Sequence, residues 1–359
     1  MNYTIHNTPN WLFEAAACIS EQYIENEEKV IENHNKFGMT KEEMTDYFKS
    51  YKAYKKAVLK EIIPIYNNYS SLKWLFQPLE LEVEADFCIG VSIVAFWGKR
   101  AETDMSDVNI DRLLVEFLIS TISEYTTEAG NKELTINSLS DLVDALNDTS
   151  IDDAFKMHLI KLYHTRHNTI KELWEMLLSC VPICQKHFSI IKEDFEKALE
   201  ALANTEDLEK LLDKSVGIKI KSQIDCDIYS TIFHFNRFNF GLHSDINYYY
   251  LGIYFISLVN LKEKNRFNDN DLITDLKALG DATRLKMIHI LSERKMYLQE
   301  LAEDLGLTPA TVSHHINTLL KSDLISITVG DENARKVFYE VNSEKLESIG
   351  NSIKSLAAN

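Results

Sequence analysis

The chain has 359 residues, too many for one small domain, and its 45% hydrophobic content is enough to bury real cores. A formal net charge of −17 counts against indiscriminate binding to nucleic acid, which rests on neutralising phosphates. No run of 18 apolar residues occurs, and Met1–His6 has no basic segment followed by an apolar run, so a membrane span and a secretory leader are both unexpected.

Five scattered cysteines (Cys18, Cys88, Cys180, Cys184 and Cys226) suit a reducing cytoplasm better than a disulfide framework. With only 11 Gly and 5 Pro, the expected fold class is mainly α. Four segments are expected: a helical N-terminal domain over 1–215, a small antiparallel sheet belonging to it over 216–262, a linker over 263–271, and a separate C-terminal domain over 272–359. No internal repeat or low-complexity tract interrupts them.

In chain order, Thr40-Lys41-Glu42-Glu43 reads as a capping box, opening a helix that should stop at Pro64. Ile110, Leu113, Leu114, Phe117, Leu118 and Ile122 recur at helical spacing within 110–129. Asp152 or Asp153 should cap a long helix reaching Leu178, with Phe155, Leu159, Leu162, Ile170, Leu173 and Leu177 on its apolar face. Another helical stretch covers 193–212.

Cys180, Cys184 and His187 stand at i, i+4 and i+7, a donor set suited to zinc or a softer metal. Against that, Pro182 should break the helix between them, and their apolar neighbours fit buried free cysteines. His158, His164 and His167 read as surface histidines beside the apolar stripe.

The texture then changes. Residues 217–221 alternate with period two, and 227–235 and 248–255 are rich in Tyr, Phe, Ile and Thr; together they read as two or three antiparallel strands, with a turn around 239–247. Their aromatic residues (Tyr229, Phe233, Phe235, Phe238, Phe240, Tyr248, Tyr249, Tyr250 and Tyr254) either pack as core or line a pocket for an apolar or aromatic small-molecule effector. Polar Lys262–Asp271 marks the domain boundary. Residues 268–359 hold 10 Lys+Arg and 14 Asp+Glu, a net of −4, which leaves −13 on residues 1–267.

Beyond the boundary, Leu272–Gly280 reads as a short amphipathic helix. Asp281 should cap the next, Ala282–Ser292, which buries Leu285, Ile288 and Leu291. Residues 298–320 then meet every requirement of two short helices crossing steeply. Ala302 is small at the point of closest approach, and Gly306 permits a positive φ. Thr308 caps the second helix and Pro309 fits its first turn. Leu301, Leu305, Leu307, Val312, Ile316 and Leu319 are expected to fill the shared core. Residues 324–329 and 334–341 flank a Gly/Asp/Asn turn and form a β-hairpin, the wing. Ser343–Leu356 closes the chain as an amphipathic helix, and helices outside the reading pair are natural dimer surfaces.

Residues 272–341 resemble the ArsR/SmtB family of bacterial winged-helix repressors. The resemblance is carried by Leu276-Lys277-Ala278-Leu279-Gly280-Asp281-Ala282-Thr283-Arg284-Leu285-Lys286, by Glu300-Leu301-Ala302, by Thr311-Val312-Ser313-His314-His315-Ile316 and by Val337-Phe338-Tyr339. It implies a homodimer that binds an inverted-repeat DNA operator, usually as a repressor released by an effector. The family's familiar metal sites are missing. Tyr297 and Gln299 stand where arsenic-sensing members carry a Cys-x-Cys pair, and 343–359 lacks the His and Asp of zinc-sensing members.

From helix spacing, Thr308, Ala310, Thr311, Ser313, His314 and Asn317 should face DNA. Thr308 and Ser313 suit phosphates, His314 and Asn317 suit base acceptors, and the methyl of Ala310 or Thr311 suits a thymine methyl. Lys321 is a further phosphate candidate. Arg335 and Lys336 on the wing either touch a phosphate or the minor groove, or form a solvated hairpin tip. His315 follows the buried rhythm, and Arg284 should serve the fold through Asp281.

No phosphate-binding glycine loop, nucleophile elbow or paired-histidine metal motif appears, so no enzymatic activity and no cofactor are expected. The alternative reading, motivated by the acidic balance, is a winged-helix module for protein–protein contact.

Overall fold

The computed structural model describes residues 3–24, 26–79, 87–97, 105–124, 134–147, 149, 151–205, 207–216, 218–220, 225–241, 247–265, 269–329 and 337–357. Helices dominate, as the composition requires. Among the described residues two sheets accompany them, one of four strands and one of three.

The four-stranded sheet differs from the antiparallel one expected. Its strands are β1 (Tyr3–His6), β3 (Cys226–Thr231), β4 (Phe238–Gly241) and β5 (Asn247–Gly252), in the order β1-β3-β5-β4. β1 and β5 both pair in parallel with β3, and only β4 runs antiparallel. The reason lies in burial. All six residues of β3 and all six of β5 are buried, because both faces of the sheet are covered. Tyr229, Tyr248 and Tyr250 enter the main helical core, while Cys226, Ile228, Tyr249 and Leu251 join a second core with Leu208, Leu212 and Phe255. A continuous apolar run such as Tyr248–Leu251 marks a central strand buried on both sides. Residues 239–241, expected in a turn, belong to β4.

Around this sheet the helices run longer than their prolines suggested. Thr40 caps as expected, with its hydroxyl accepting from the Glu43 amide and Glu43 returning to the Thr40 amide. However, Lys41–Tyr47 gives way at Phe48 to a second helix, Lys49–Asn67, that passes through Pro64. Asp152 caps the long helix Asp153–His187, which likewise runs through Pro182 to end nine residues beyond the expected Leu178. Its apolar face is buried as read. The helix spanning Asp107–Glu124 buries the six residues named for it.

The first helix, Trp11–Ser20, is fixed to the sheet by Glu14. This fully buried carboxylate accepts from the Ile232 and Phe233 amides at 2.9 and 3.1 Å, in the turn after β3. Burial outweighs those two hydrogen bonds and pushes the Glu14 carboxyl up to about 7.

The aromatic cluster is largely core. Phe13 stacks on Tyr250 at 4.1 Å, and Phe48 meets Phe235 and Tyr254 edge-on. Helix Phe255–Lys264 runs into the expected linker, and Asn265 donates to the Phe37 and Leu261 carbonyls. The next helix, Asp269–Leu279, begins three residues before the expected start.

The C-terminal residues build a core of their own, made of Ala278, Met287, Ile288, Leu291, Met296, Leu301, Ala302, Val312, Ile316, Leu319, Leu324, Ile325, Tyr339 and Ile349. Two expected members lie outside it. Leu285 is 56% exposed and Leu307 is 36% exposed. The wing strands β6 (Ile325–Val329) and β7 (Val337–Val341) pair antiparallel. A third strand, β2 (Ile218–Ile220), joins β6 in parallel rather than the N-terminal sheet to which residues 216–262 were expected to belong. No helix among the described residues is long and apolar enough to cross a membrane.

Candidate nucleic-acid interface

The reading helix, Pro309–Lys321, is positioned by local chemistry at each end. Gly306 closes the supporting helix Leu298–Leu305 with φ +66, a left-handed conformation other residues resist. Two residues later the Thr308 hydroxyl accepts from the Thr311 amide at 3.2 Å, and Pro309 occupies the first turn. At the start of the supporting helix the Tyr297 amide donates to the Glu300 carboxylate at 3.2 Å, and Tyr297 meets Phe338 of the wing edge-on. Met296 exchanges backbone hydrogen bonds with Tyr339, joining the wing to the segment before the helices.

Burial along the reading helix sorts the proposed contact residues. Val312, Ser313, Ile316 and Leu319 are buried. Thr308, Ala310, Thr311, His314 and Lys321 are exposed, and Asn317 is half-buried. These six form one stripe facing away from the domain core.

Ser313 is the correction. It is 1% exposed, and its hydroxyl finds no hydrogen-bond partner, so it cannot serve as a phosphate contact in this conformation. The inward arc of the helix is wider than an i, i+3, i+4 stripe, and position 313 lies within it next to Val312. Arg335 and Lys336 lie outside the described residues.

Neighbouring residues behave as supports. His315 is half-buried, with Nδ1 3.7 Å from the Asp281 carboxylate. Asp281 itself caps Ala282–Glu293 through the Arg284 amide. The Arg284 guanidinium donates to the Ala278 and Lys277 carbonyls at 2.5 and 2.9 Å, satisfying the end of the preceding helix. The cations Arg294 and Lys295 lie on the same domain. Arg294 pairs with Asp304 at 3.3 Å, and Lys295 lies over the Phe338 ring at 5.1 Å.

Away from the reading pair, Ile273 and Leu276 (50% and 41% exposed), Leu285 and Ile353 (45%) leave apolar side chains on the first, second and last helices of the domain. Lys345 and Asp275 tie the first and last of these helices together through a 2.7 Å ion pair that is nearly buried. These exposed residues were legible as periodic hydrophobics, but their outward direction was not.

In the N-terminal region Cys180 and Cys184 are buried. Desolvation raises both thiols, that of Cys180 to about 12. His187 turns instead to Glu61, with Nε2 2.7 Å from Oε1. No group of three His, Cys, Asp or Glu among the described residues is placed to hold a metal ion. His158 Nδ1 donates to the Ala154 carbonyl at 2.7 Å, and His167 Nε2 lies 2.9 Å from the Asp111 carboxylate. Beside the carboxyl end of β1 a pocket of about 340 Å³ is lined by His6, Asn10, Trp11, Leu178, Val181 and Tyr229. His6 stacks on Tyr229 at 4.2 Å and lies 3.0 Å from Asp227.

Comparison with known proteins agrees with the geometry of the C-terminal domain. Residues 281–326 match the family described as "Bacterial regulatory protein, arsR family". An arsenical resistance operon repressor of Staphylococcus xylosus is 30% identical over 83 residues, 23% of this chain and 77% of that protein. The arsenical resistance operon repressor of Staphylococcus aureus is 29% identical over 79 residues, 22% of this chain and 73% of that protein. The transcriptional repressor SdpR of Bacillus subtilis is 28% identical over 71 residues, covering 20% and 76% respectively. No solved structure matches the chain. The match, the glycine-turned helix pair and the wing strands together lead to one conclusion: through its C-terminal domain, this chain belongs to the arsR family of bacterial DNA-binding regulatory proteins.

Proposed function

We propose that the protein is a transcriptional repressor that binds an inverted-repeat operator as a homodimer, with residues 1–262 as a sensing or dimerisation domain. The observation that carries this reading is the polar stripe on the reading helix. Thr308, Thr311, His314 and Asn317 present hydroxyl, imidazole and amide groups on the side facing away from the core, and Lys321 adds a cation at its end. In this reading His314 and Asn317 meet base edges, Ala310 or Thr311 offers a methyl to thymine, and Thr308 and Lys321 hold phosphates. Arg335 and Lys336 remain proposed wing contacts.

Dimerisation is proposed through the exposed Ile273, Leu276, Leu285 and Ile353, an apolar set outside the reading pair. The effector is proposed to be a small molecule rather than a metal, because Tyr297 and Gln299 offer no thiolate and Cys180 and Cys184 are desolvated. The pocket beside β1 combines apolar walls with an imidazole and a phenol, a lining suited to such a molecule. The reading is regulatory and not catalytic, and it assigns the protein to the cytoplasm, where its DNA lies.

Selection of duplexes from a random pool tests the proposal. The full chain should enrich a palindrome, and His314→Ala should relax its base preference with little change in fold. No enrichment, or enrichment indifferent to His314→Ala, would favour the protein–protein contact reading.

A further inference from the structure

The wing is held by the N-terminal region at two places. In the register of β2 on β6, Ile218 stands opposite Ile327, Lys219 opposite Thr328 and Ile220 opposite Val329. β6 therefore lies between β2 and β7. A hairpin wing requires only its own two strands, and its outer edge would otherwise face solvent with unpaired backbone groups. Here a strand from far upstream in the same chain covers that edge.

The second attachment sits at the other end of β6. Lys262, in the helix Phe255–Lys264, places Nζ 3.4 Å from the Asp323 carboxylate. Asp323 has φ 55 and forms the turn between the reading helix and β6. So β6 is fixed at its start by a side chain and along its second half by a backbone ladder, both from the N-terminal region.

Both attachments lead into one core. The helix preceding β2, Leu208–Val216, buries Leu208 and Leu212 against Cys226, Ile228 and Tyr249 of the four-stranded sheet. Phe255 and Ile256, from the helix that carries Lys262, belong to the same core. A repacking of that core would move both attachments together.

The docked arrangement carries an electrostatic consequence. Residues 1–267 have a formal net charge of −13. Repulsion between this net negative charge and a phosphate backbone is screened by salt beyond a Debye length of about 8–10 Å.

We propose that β2 is an autoinhibitory clamp: docked on β6 it restrains the wing and lowers DNA affinity, and its release frees the wing for DNA. The proposal rests on the DNA-binding reading above and names how that binding is regulated.

Two full-length variants test it. Ile218→Pro with Ile220→Pro removes backbone donors from β2 and disfavours the strand. Ile218→Cys with Ile327→Cys joins opposed positions, so that oxidation locks the clamp and dithiothreitol releases it; the five native cysteines are buried. Hydrogen exchange over 325–329 reads the clamp without DNA, and fluorescence anisotropy on the selected duplex reads affinity.

The proline variant should exchange faster over 325–329 and bind at least about 5-fold tighter, with the oxidised cross-link at least about 5-fold weaker than its own reduced form. Both differences should shrink as salt is raised. Unchanged exchange, or equal or weaker binding in the proline variant, would overturn the clamp. The cross-link compares one chain with itself, so misfolding of the proline variant leaves that arm decisive, and equal affinity of its two forms also overturns the proposal. If the wild-type chain binds no duplex, the DNA reading fails while hydrogen exchange still judges the strand pairing.

Discussion

The C-terminal head and the N-terminal sheet are written in the sequence in opposite ways. The features that shape the head's helix pair are local. Gly306 turns the chain, and Thr308 caps three residues ahead. The N-terminal sheet is assembled from the two ends of a long segment. Tyr3 pairs with Cys226 and His6 with Tyr229, while Glu14 accepts from Ile232 and Phe233. Contacts close in sequence can be read as motifs, whereas long-range ones depend on a fold that must first be known. The contrast also has an energetic side, since the head has its own core, separate from the two in the N-terminal region.

The sharpest way to break this comparison is to damage one core and watch the other. Ile316→Ala empties a fully buried site in the head and should cost it about 2–5 kcal/mol. Calorimetry should then show the head's transition lowered and the N-terminal one unmoved. Equal shifts in both would mean that the two cores unfold as one unit.

Glu14 probes the other side. Its carboxyl is raised from 4.5 to about 7 by burial, so the folded state holds the proton more tightly than the unfolded chain. Its contribution to stability is fully present below about pH 4.5 and is lost as pH rises through about 7. The N-terminal transition should therefore fall between those values. Glu14→Gln should flatten that slope and, by spoiling one of the two amide contacts, cost about 1–3 kcal/mol.

Smaller effects test the local coding of the head. At Gly306 no atom lies within 4 Å of an added Cβ, so Gly306→Ala should cost only the backbone strain of φ +66, about 1–2 kcal/mol. Thr308→Ala removes the cap and should cost about 1 kcal/mol by chemical denaturation.

Particular residues show where the sequence was legible. The caps at Thr40, Asp152, Asp281 and Thr308 are all in place, because each needs only a side-chain oxygen and an amide two or three residues on. Pro64 and Pro182 misled. Each lies inside a long helix whose other buried residues outweigh one missing amide donor. The buried tyrosines of β5 read as strand, but their direction depended on partners far away in the chain.

On the reading helix, the exposure of Thr308, Ala310, Thr311, His314, Asn317 and Lys321 follows helix periodicity, and Ser313 departs from it because a polar residue small enough to bury looks like a surface one. Leu285 departs in the opposite sense. An apolar residue at core spacing reads as core whether its face meets its own chain or is left exposed. The joining of β2 to the wing left no signal in so short a strand.

The most direct test of the account is the ratio of affinities for the selected palindrome and for an unrelated duplex of equal length, measured by anisotropy at fixed salt. A reading head should bind the palindrome at least about a thousandfold more tightly, and His314→Ala should erode that ratio while leaving the weak binding to unrelated DNA nearly unchanged. Equal affinity for both duplexes would contradict the claim that this helix reads sequence.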